Sequence, residues 1–242
     1  MTMAGAERHE RGGRPPQGGV MVGGQRYVRA PSPIHFPTDE RVPETKRHLE
    51  LRTLLYQFLK LGFSQSAAIG SDQFVYWDPT SPSACLAPDA FVRNGQPNDL
   101  FGSWKVWERG APHVAVEVVS ASDPATWEEK LEKYRRLGVS ELVRFDPESQ
   151  LQPLRVWDLF DGDLLERDLS EPVAQSRFLG GYWLLVPDSE LGLTLRLAHD
   201  PLGHRLYPSP AEHQAEAHRA EAEARQAAEQ RVRELEAELA RR

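Results

Sequence analysis

Residues 113–145 read HVAVEVVSASDPATWEEKLEKYRRLGVSELVRF. The opening HVAVEVV is a β-branched run of the kind that fills a central strand. Helix-start chemistry follows at Asp123, Pro124 and Thr126, and Glu129 stands three residues after Thr126, the spacing of a capping box. Trp127, Leu131, Tyr134 and Leu137 then recur at helical spacing until Gly138 closes the helix. ELVRF is a further strand. Strand, helix and strand in so short a stretch make a crossover unit, which predicts a parallel pair.

Working outward, ETKRHLELRTLLYQFLKLGF (44–63) places Leu51, Leu54, Leu55, Phe58 and Leu59 on one helical stripe, with Gly62 as the expected stop. His48 lies on that stripe and Glu50 off it. Strands are expected at Gln73–Trp77 and Leu86–Val92, joined as a hairpin by the turn-forming DPTSPSA. Beyond the crossover, LRVWDL, DLLERDL and YWLLV read as more strands. The expected class is α/β, a mixed sheet flanked by helices, over residues 41–208. Residues 1–40 are rich in Gly, Pro and Arg without periodicity and read as a flexible lead-in, with a short strand near Gln25–Arg29.

From 209 to 242 the chain is almost entirely Ala, Glu, Arg and Gln, a charged helix. Ala228, Val232, Leu235 and Leu239 alternate by four and three, a coiled-coil seam that would join copies into a homo-oligomer. Upstream the same positions are Arg225, Glu221 and His218, so a solvated helix laced by its own ion pairs fits the pattern as well.

The 242 residues carry 36 acids against 29 Lys and Arg, a formal charge of −7. Residues 41–210 alone hold 24 acids and 18 Lys plus Arg, a poor balance for a general polyanion binder. No run approaches the roughly 20 apolar residues that span a bilayer. No secretory h-region is visible at the start, and a single cysteine, Cys85, excludes an internal disulfide or a cysteine-rich zinc site. A cytoplasmic protein without membrane contact is the expectation. Phosphate-loop, H-E-x-x-H and G-x-S-x-G motifs are missing, and the eight histidines do not cluster at ligand spacing.

The chemistry must therefore lie in acids set among apolar residues. Glu117 interrupts HVAVEVV, and period-2 geometry puts it on the face of His113, Ala115 and Val119. Asp89 sits inside LAPDAFV. A carboxylate within a central strand is costly unless it is paired, hydrogen-bonded or metal-bound. Two such acids on neighbouring strands suit Mg²⁺, which takes one or two carboxylates plus waters and phosphate oxygens. In the plainer reading, Asp89 caps a turn after Pro88 and Glu117 pairs with Lys130 or an arginine. On the helical wheel Lys130 falls on the inward side, between Tyr134 and Leu137. It is either a salt-bridge partner for Glu117 or a group that places a metal-bound water or a scissile phosphate. Trp104, Lys105, Trp107 and Arg109 form a short basic-aromatic stretch that could touch nucleic acid, although a packing lid is the commoner role for such aromatics.

The ordered set LAPDAFV, AVEVVSASD, EEKLEKYRRLGV and LVRFDPE resembles the Uma-two family of restriction-endonuclease-like proteins, within the PD-(D/E)XK nuclease superfamily. The resemblance runs from about His48 to about Trp157. It implies a restriction-endonuclease-like core and a DNA endonuclease dependent on Mg²⁺ or Mn²⁺. It implies that Asp89, Glu117 and the carbonyl of Val118 ligate the metal. The usual lysine would stand at position 119, where this chain has Val119; Lys130, in the E-K-L-x-x-Y stretch, takes its place. An acid or histidine of the first helix often completes such sites, and His48 is the candidate, with Glu44 one turn earlier the other. A valine at 119 keeps a second expectation open: a degenerate nuclease fold that binds nucleic acid or protein, or serves assembly, without cutting.

Overall fold

The computed structural model describes residues 19–22, 25–28, 45–120 and 126–241. The chain divides into Met1–Glu40 and Arg41–Arg242. In the first unit, β1 (Gly19–Val22) and β2 (Gln25–Val28) pair antiparallel, so the strand expected near Gln25–Arg29 is present, with a partner that the sequence did not announce. The expected flexibility of the rest of 1–40 concerns residues outside those described.

The second unit opens with α1 (Lys46–Phe63), capped by Thr45, whose side chain accepts from the His48 amide. Gly62 does not stop this helix, contrary to expectation; the last helical residue is Phe63, and the Ser64 amide still bonds to the Lys60 carbonyl. Glycine at 62 instead gives room to the Tyr207 ring, which a Cβ there would meet at 3.0 Å. Next come β3 (Ala67–Gly70), β4 (Val75–Tyr76), β5 (Cys85–Leu86), β6 (Ala90–Asn94), β7 (Trp104–Lys105) and the single turn α2 (Val106–Arg109). The expected hairpin exists but is short. Its second strand ends at Leu86, and after Ala87 and Pro88 the chain enters β6 in a different sheet, because proline cannot donate to a continuing ladder.

The crossover forms as the sequence predicts: β8 (Val114–Val118), α3 (Trp127–Leu137) and β9 (Glu141–Phe145), with β8 and β9 parallel. Thr126 caps α3 in a full capping box with Glu129, and Gly138 ends it at φ 80, a left-handed turn that only glycine adopts without strain. Asp123 and Pro124 lie outside the described residues. Then follow β10 (Leu154–Phe160), β11 (Asp163–Glu166), β12 (Val173–Gln175), β13 (Tyr182–Asp188), β14 (Gly192–Ala198) and α4 (Pro210–Leu239).

The main sheet has six strands in the order β11-β10-β9-β8-β6-β3, antiparallel except at β8–β9. It is a mixed α/β fold, as expected. Alternation divides the core between its two faces. Val114, Val116 and Val118 join the buried residues of α1 together with Trp183 and Leu197 of the sheet β12-β13-β14. Ala115 and Leu142 look the other way and join Tyr134 and Leu137 of α3, with Val75 and Trp104 of the sheet β5-β4-β7. Burying both faces is why β8 reads as a near-continuous apolar run, and why its one acid is conspicuous.

Candidate active site

Glu117 points to the α3 face near the C-terminal end of β8, and its side chain is 7% exposed. Asp89 stands one residue before β6. The register that pairs Ala90 with Val116 and Phe91 with Ala115 sets Asp89 opposite Glu117, on the same face, one step beyond the ladder. Two acids that the sequence placed 28 positions apart thus face each other across neighbouring strands. Asp89 is further tied to β8, because its Oδ2 accepts the Val118 amide at 2.7 Å.

Lys130 and Tyr134 reach Glu117 from α3. Lys130 Nζ donates to Oε2 at 2.6 Å, and the Tyr134 hydroxyl donates to Oε1. The inward lysine predicted from the wheel is therefore at the acid. Tyr134 was legible as core but not as a hydrogen-bond donor to the site. His48 arrives from α1, with Nε2 3.1 Å from Asp89 Oδ1. Glu44, the other first-helix candidate, lies outside the described residues. Asp89, Glu117, Lys130 and His48 are thus one cluster, assembled from a loop, a strand and two helices.

The electrostatics are unusual. Burial pushes the Glu117 carboxyl up to about 7, and the neighbouring charge of Asp89 pushes in the same direction. Lys130 and the hydrogen bonds from Lys130 and Tyr134 oppose that shift without cancelling it. Near neutral pH the Glu117 carboxyl is therefore partly protonated.

Such a pair fits a hard divalent cation. Mg²⁺ and Mn²⁺ take carboxylate, carbonyl and water oxygens, and each carboxylate oxygen here keeps a lone pair beyond the hydrogen bond it accepts. Among the described residues no group of three or more His, Cys, Asp or Glu is arranged to hold a metal ion. A closed zinc-type site is not what the donors resemble; two acids completed by a backbone carbonyl and waters are.

The basic-aromatic stretch is packed only in part, since Trp107 is 46% exposed. Trp104 is fully buried, edge-on to Phe91 and Phe101, and its indole N–H donates to the Gly110 carbonyl. Lys105 pairs with Glu108, and Arg109 with Asp99. One half-buried and one buried charged group escaped the sequence reading although a signal existed. Arg144 interrupts LVRFD and Asp158 interrupts LRVWDL just as Glu117 interrupts its own strand.

A family model, Uma2, described as "Putative restriction endonuclease", matches residues 39–187. A solved structure from Anabaena variabilis ATCC 29413, described as "a putative nuclease belonging to DUF820", is similar at 11% identity and a TM-score of 0.43, over 65% of this chain and 80% of that one. No curated protein matches the chain.

Proposed function

Since the chain belongs to the Uma2 family of restriction-endonuclease-type proteins, we propose that it hydrolyses DNA phosphodiester bonds with the help of a divalent cation, Mg²⁺ or Mn²⁺. The observation that carries this reading is the opposed pair Asp89 and Glu117 on one face of neighbouring strands, with the Val118 amide and His48 at one acid and Lys130 and Tyr134 at the other. The two carboxylates would hold the cation, together with the carbonyl of Val118. When bound, it supplies charge neutralisation at the phosphoryl oxygen and lowers the pKa of a water.

The chain's own residues do the rest. Tyr134 and Lys130 fix the two oxygens of Glu117, leaving the carboxylate a single orientation. The Val118 amide and His48 do the same for Asp89. Lys130, about a quarter exposed, is the cation placed to orient the attacking water or meet charge developing on the phosphate. It supplies from a helix what Val119 cannot supply from the strand. Being hydrogen-bonded to Glu117, it reaches the same acid that a lysine two residues along would serve.

Asp89→Ala and Glu117→Ala proteins should lose divalent-dependent DNA cleavage and, in calorimetric titration, Mn²⁺ binding, while keeping their fold. Full metal-dependent cleavage by Asp89→Ala refutes the site. Lys130→Met should bind Mn²⁺ but cleave far more slowly. If cleavage survives and only stability falls, Lys130 is a structural partner alone.

A second reading, assembly through the C-terminal helix, is favoured by one observation. Val232, Leu235 and Leu239 of α4 stand open to solvent along the predicted seam. Removal of residues 210–242 should then lower the oligomeric state in sedimentation; an unchanged state eliminates the seam as an assembly device.

A further inference from the structure

The row of residues that begins Asp89, Glu117 does not end there. Glu117 is the register partner of Arg144 on β9, and Arg144 is the partner of Arg155 on β10. Register partners share a face, so acid, acid, arginine and arginine run across four adjacent strands on the α3 side. They cross at the C-terminal ends of the parallel pair, where open α/β sheets receive ligands.

The two arginines are differently employed. Arg155 is clamped by Glu166 through two hydrogen bonds of 2.7 and 2.6 Å. Arg144 gives one bond, Nη2 to Asp146 at 3.0 Å, and its guanidinium carbon stacks 5.3 Å from the ring centre of Trp127. Its Nε is buried without a hydrogen-bond partner, and so is the indole Nε1 of Trp127 itself. Buried donors rarely go unmatched. Here two of them, on residues in direct contact, stand one strand from the acid pair. Both are donors, one of them cationic, so what would satisfy them is an anionic oxygen ligand. A guanidinium held over an indole is well suited to phosphate.

We propose that Arg144 and Trp127 form a phosphate-holding subsite beside the acid pair, taking a backbone phosphate that flanks the bond to be cut. Its assignment to a nucleic-acid strand rests on the nuclease reading. The subsite bears on the charge balance: a chain too acidic for general polyanion binding sets an arginine with one carboxylate bond one strand from the acid pair.

The test is equilibrium binding of a labelled DNA duplex, by fluorescence anisotropy over a range of salt, with Ca²⁺ as the divalent ion. Arg144→Gln should weaken binding about tenfold and lower the slope of log K against log salt by about 1. Arg144→Lys should restore the slope but not the full affinity, since an ammonium neither stacks nor forks. Trp127→Phe keeps a ring, removes the N–H, and should weaken binding without altering the slope. Arg155→Gln is the control, and its slope should be that of the wild type. Wild-type affinity and slope in Arg144→Gln, or an equal slope change in Arg155→Gln, overturns the subsite. A wild-type protein that binds DNA through Arg144 but does not cut it sinks the nuclease reading and leaves the subsite standing. One that cuts DNA with a KM and slope indifferent to Arg144 does the reverse.

Discussion

The parallel pair β8–β9 holds opposed acids near each of its ends, and the two pairs are treated differently. Near the N-terminal end, Glu141 faces Asp158 of β10 and shares the α1 face with Val114. One guanidinium joins them: Arg167 donates to Glu141 at 2.9 Å and to both oxygens of Asp158 at 2.6 and 2.7 Å. Glu141, fully buried, also accepts from Ser176 Oγ, the Arg177 amide and the Trp183 indole. Near the C-terminal end, on the α3 face, Asp89 and Glu117 have separate partners from separate helices, and the carboxyl of Glu117 is pushed up to about 7. An acid pair closed by an internal cation is architecture, fastening the second sheet to the first. The other pair is held from two helices, and on the proposed reading its carboxylates meet a cation brought from solution.

Removing Glu141 should produce the largest stability change. Glu141→Ala strands the Trp183 indole and the Ser176 hydroxyl at a buried site and leaves Arg167 only Asp158 and the Gln175 carbonyl. Losing one partner of a buried ionic network costs about 3–5 kcal/mol. Urea unfolding of Glu141→Ala beside Glu117→Ala measures the contrast, since the second substitution also removes an unfavourably buried charge and should cost much less. Equal losses would erase the distinction between the two ends.

The next effect is smaller and depends on pH. Because the folded-state pKa of Glu117 is raised from 4.5 to about 7, the folded protein holds a proton that the unfolded chain releases. The stability this group contributes is fully present below pH 4.5 and is lost as pH rises through 7. At its steepest the loss is ~1.4 kcal/mol per pH unit for one proton. Metal-free wild type compared with Glu117→Gln should show this slope as their difference, flat above the window. Mn²⁺ should recover stability on the alkaline side, where the carboxylate is ionised. A difference that does not change between pH 4.5 and 7 would mean that the Glu117 carboxyl is not raised in the folded protein.

How these regions appear in the sequence follows from where their partners lie. The crossover was legible because its signals are local: β-branched residues, a capping box within four positions, a glycine at the helix end. Asp89, Glu117 and Lys130 were legible because each sits on the wrong side of an apolar pattern. His48 needed the same pattern together with the family resemblance. Glu141 was hidden. It opens its strand rather than interrupting it, and its partners Arg167, Ser176, Arg177 and Trp183 are 26 to 42 residues away, which no local spacing encodes. The Ala67–Gly70 strand was invisible for a different reason, since AAIG has too little β-branched or alternating character to stand out from a loop. By contrast GLTLRLA at 192–198 alternates openly and could have been read.

A third carboxylate, between these extremes, gives the finest test. Glu212, in the first turn of α4, takes a forked pair of bonds from Arg196 at 3.0 and 2.7 Å and completes the capping box with Ser209. Arg196 is nearly buried, with the Tyr207 carbonyl as a further acceptor, whereas the Glu212 side chain is 46% exposed. The arginine bonds lead in holding the Glu212 carboxyl down at about 2, so its stabilising contribution is present above pH 4.5 and lost as pH falls toward 2. Solvent screening limits what so exposed a pair contributes. Glu212→Gln keeps an acceptor for the arginine and the cap, and should cost about 1 kcal/mol or less at neutral pH, vanishing in acid. A cost as large as that of Glu141→Ala would mean that a buried arginine alone decides the matter. A small one would show that both ends of an ion pair must leave water before its loss is severe, which is the condition Glu141 meets.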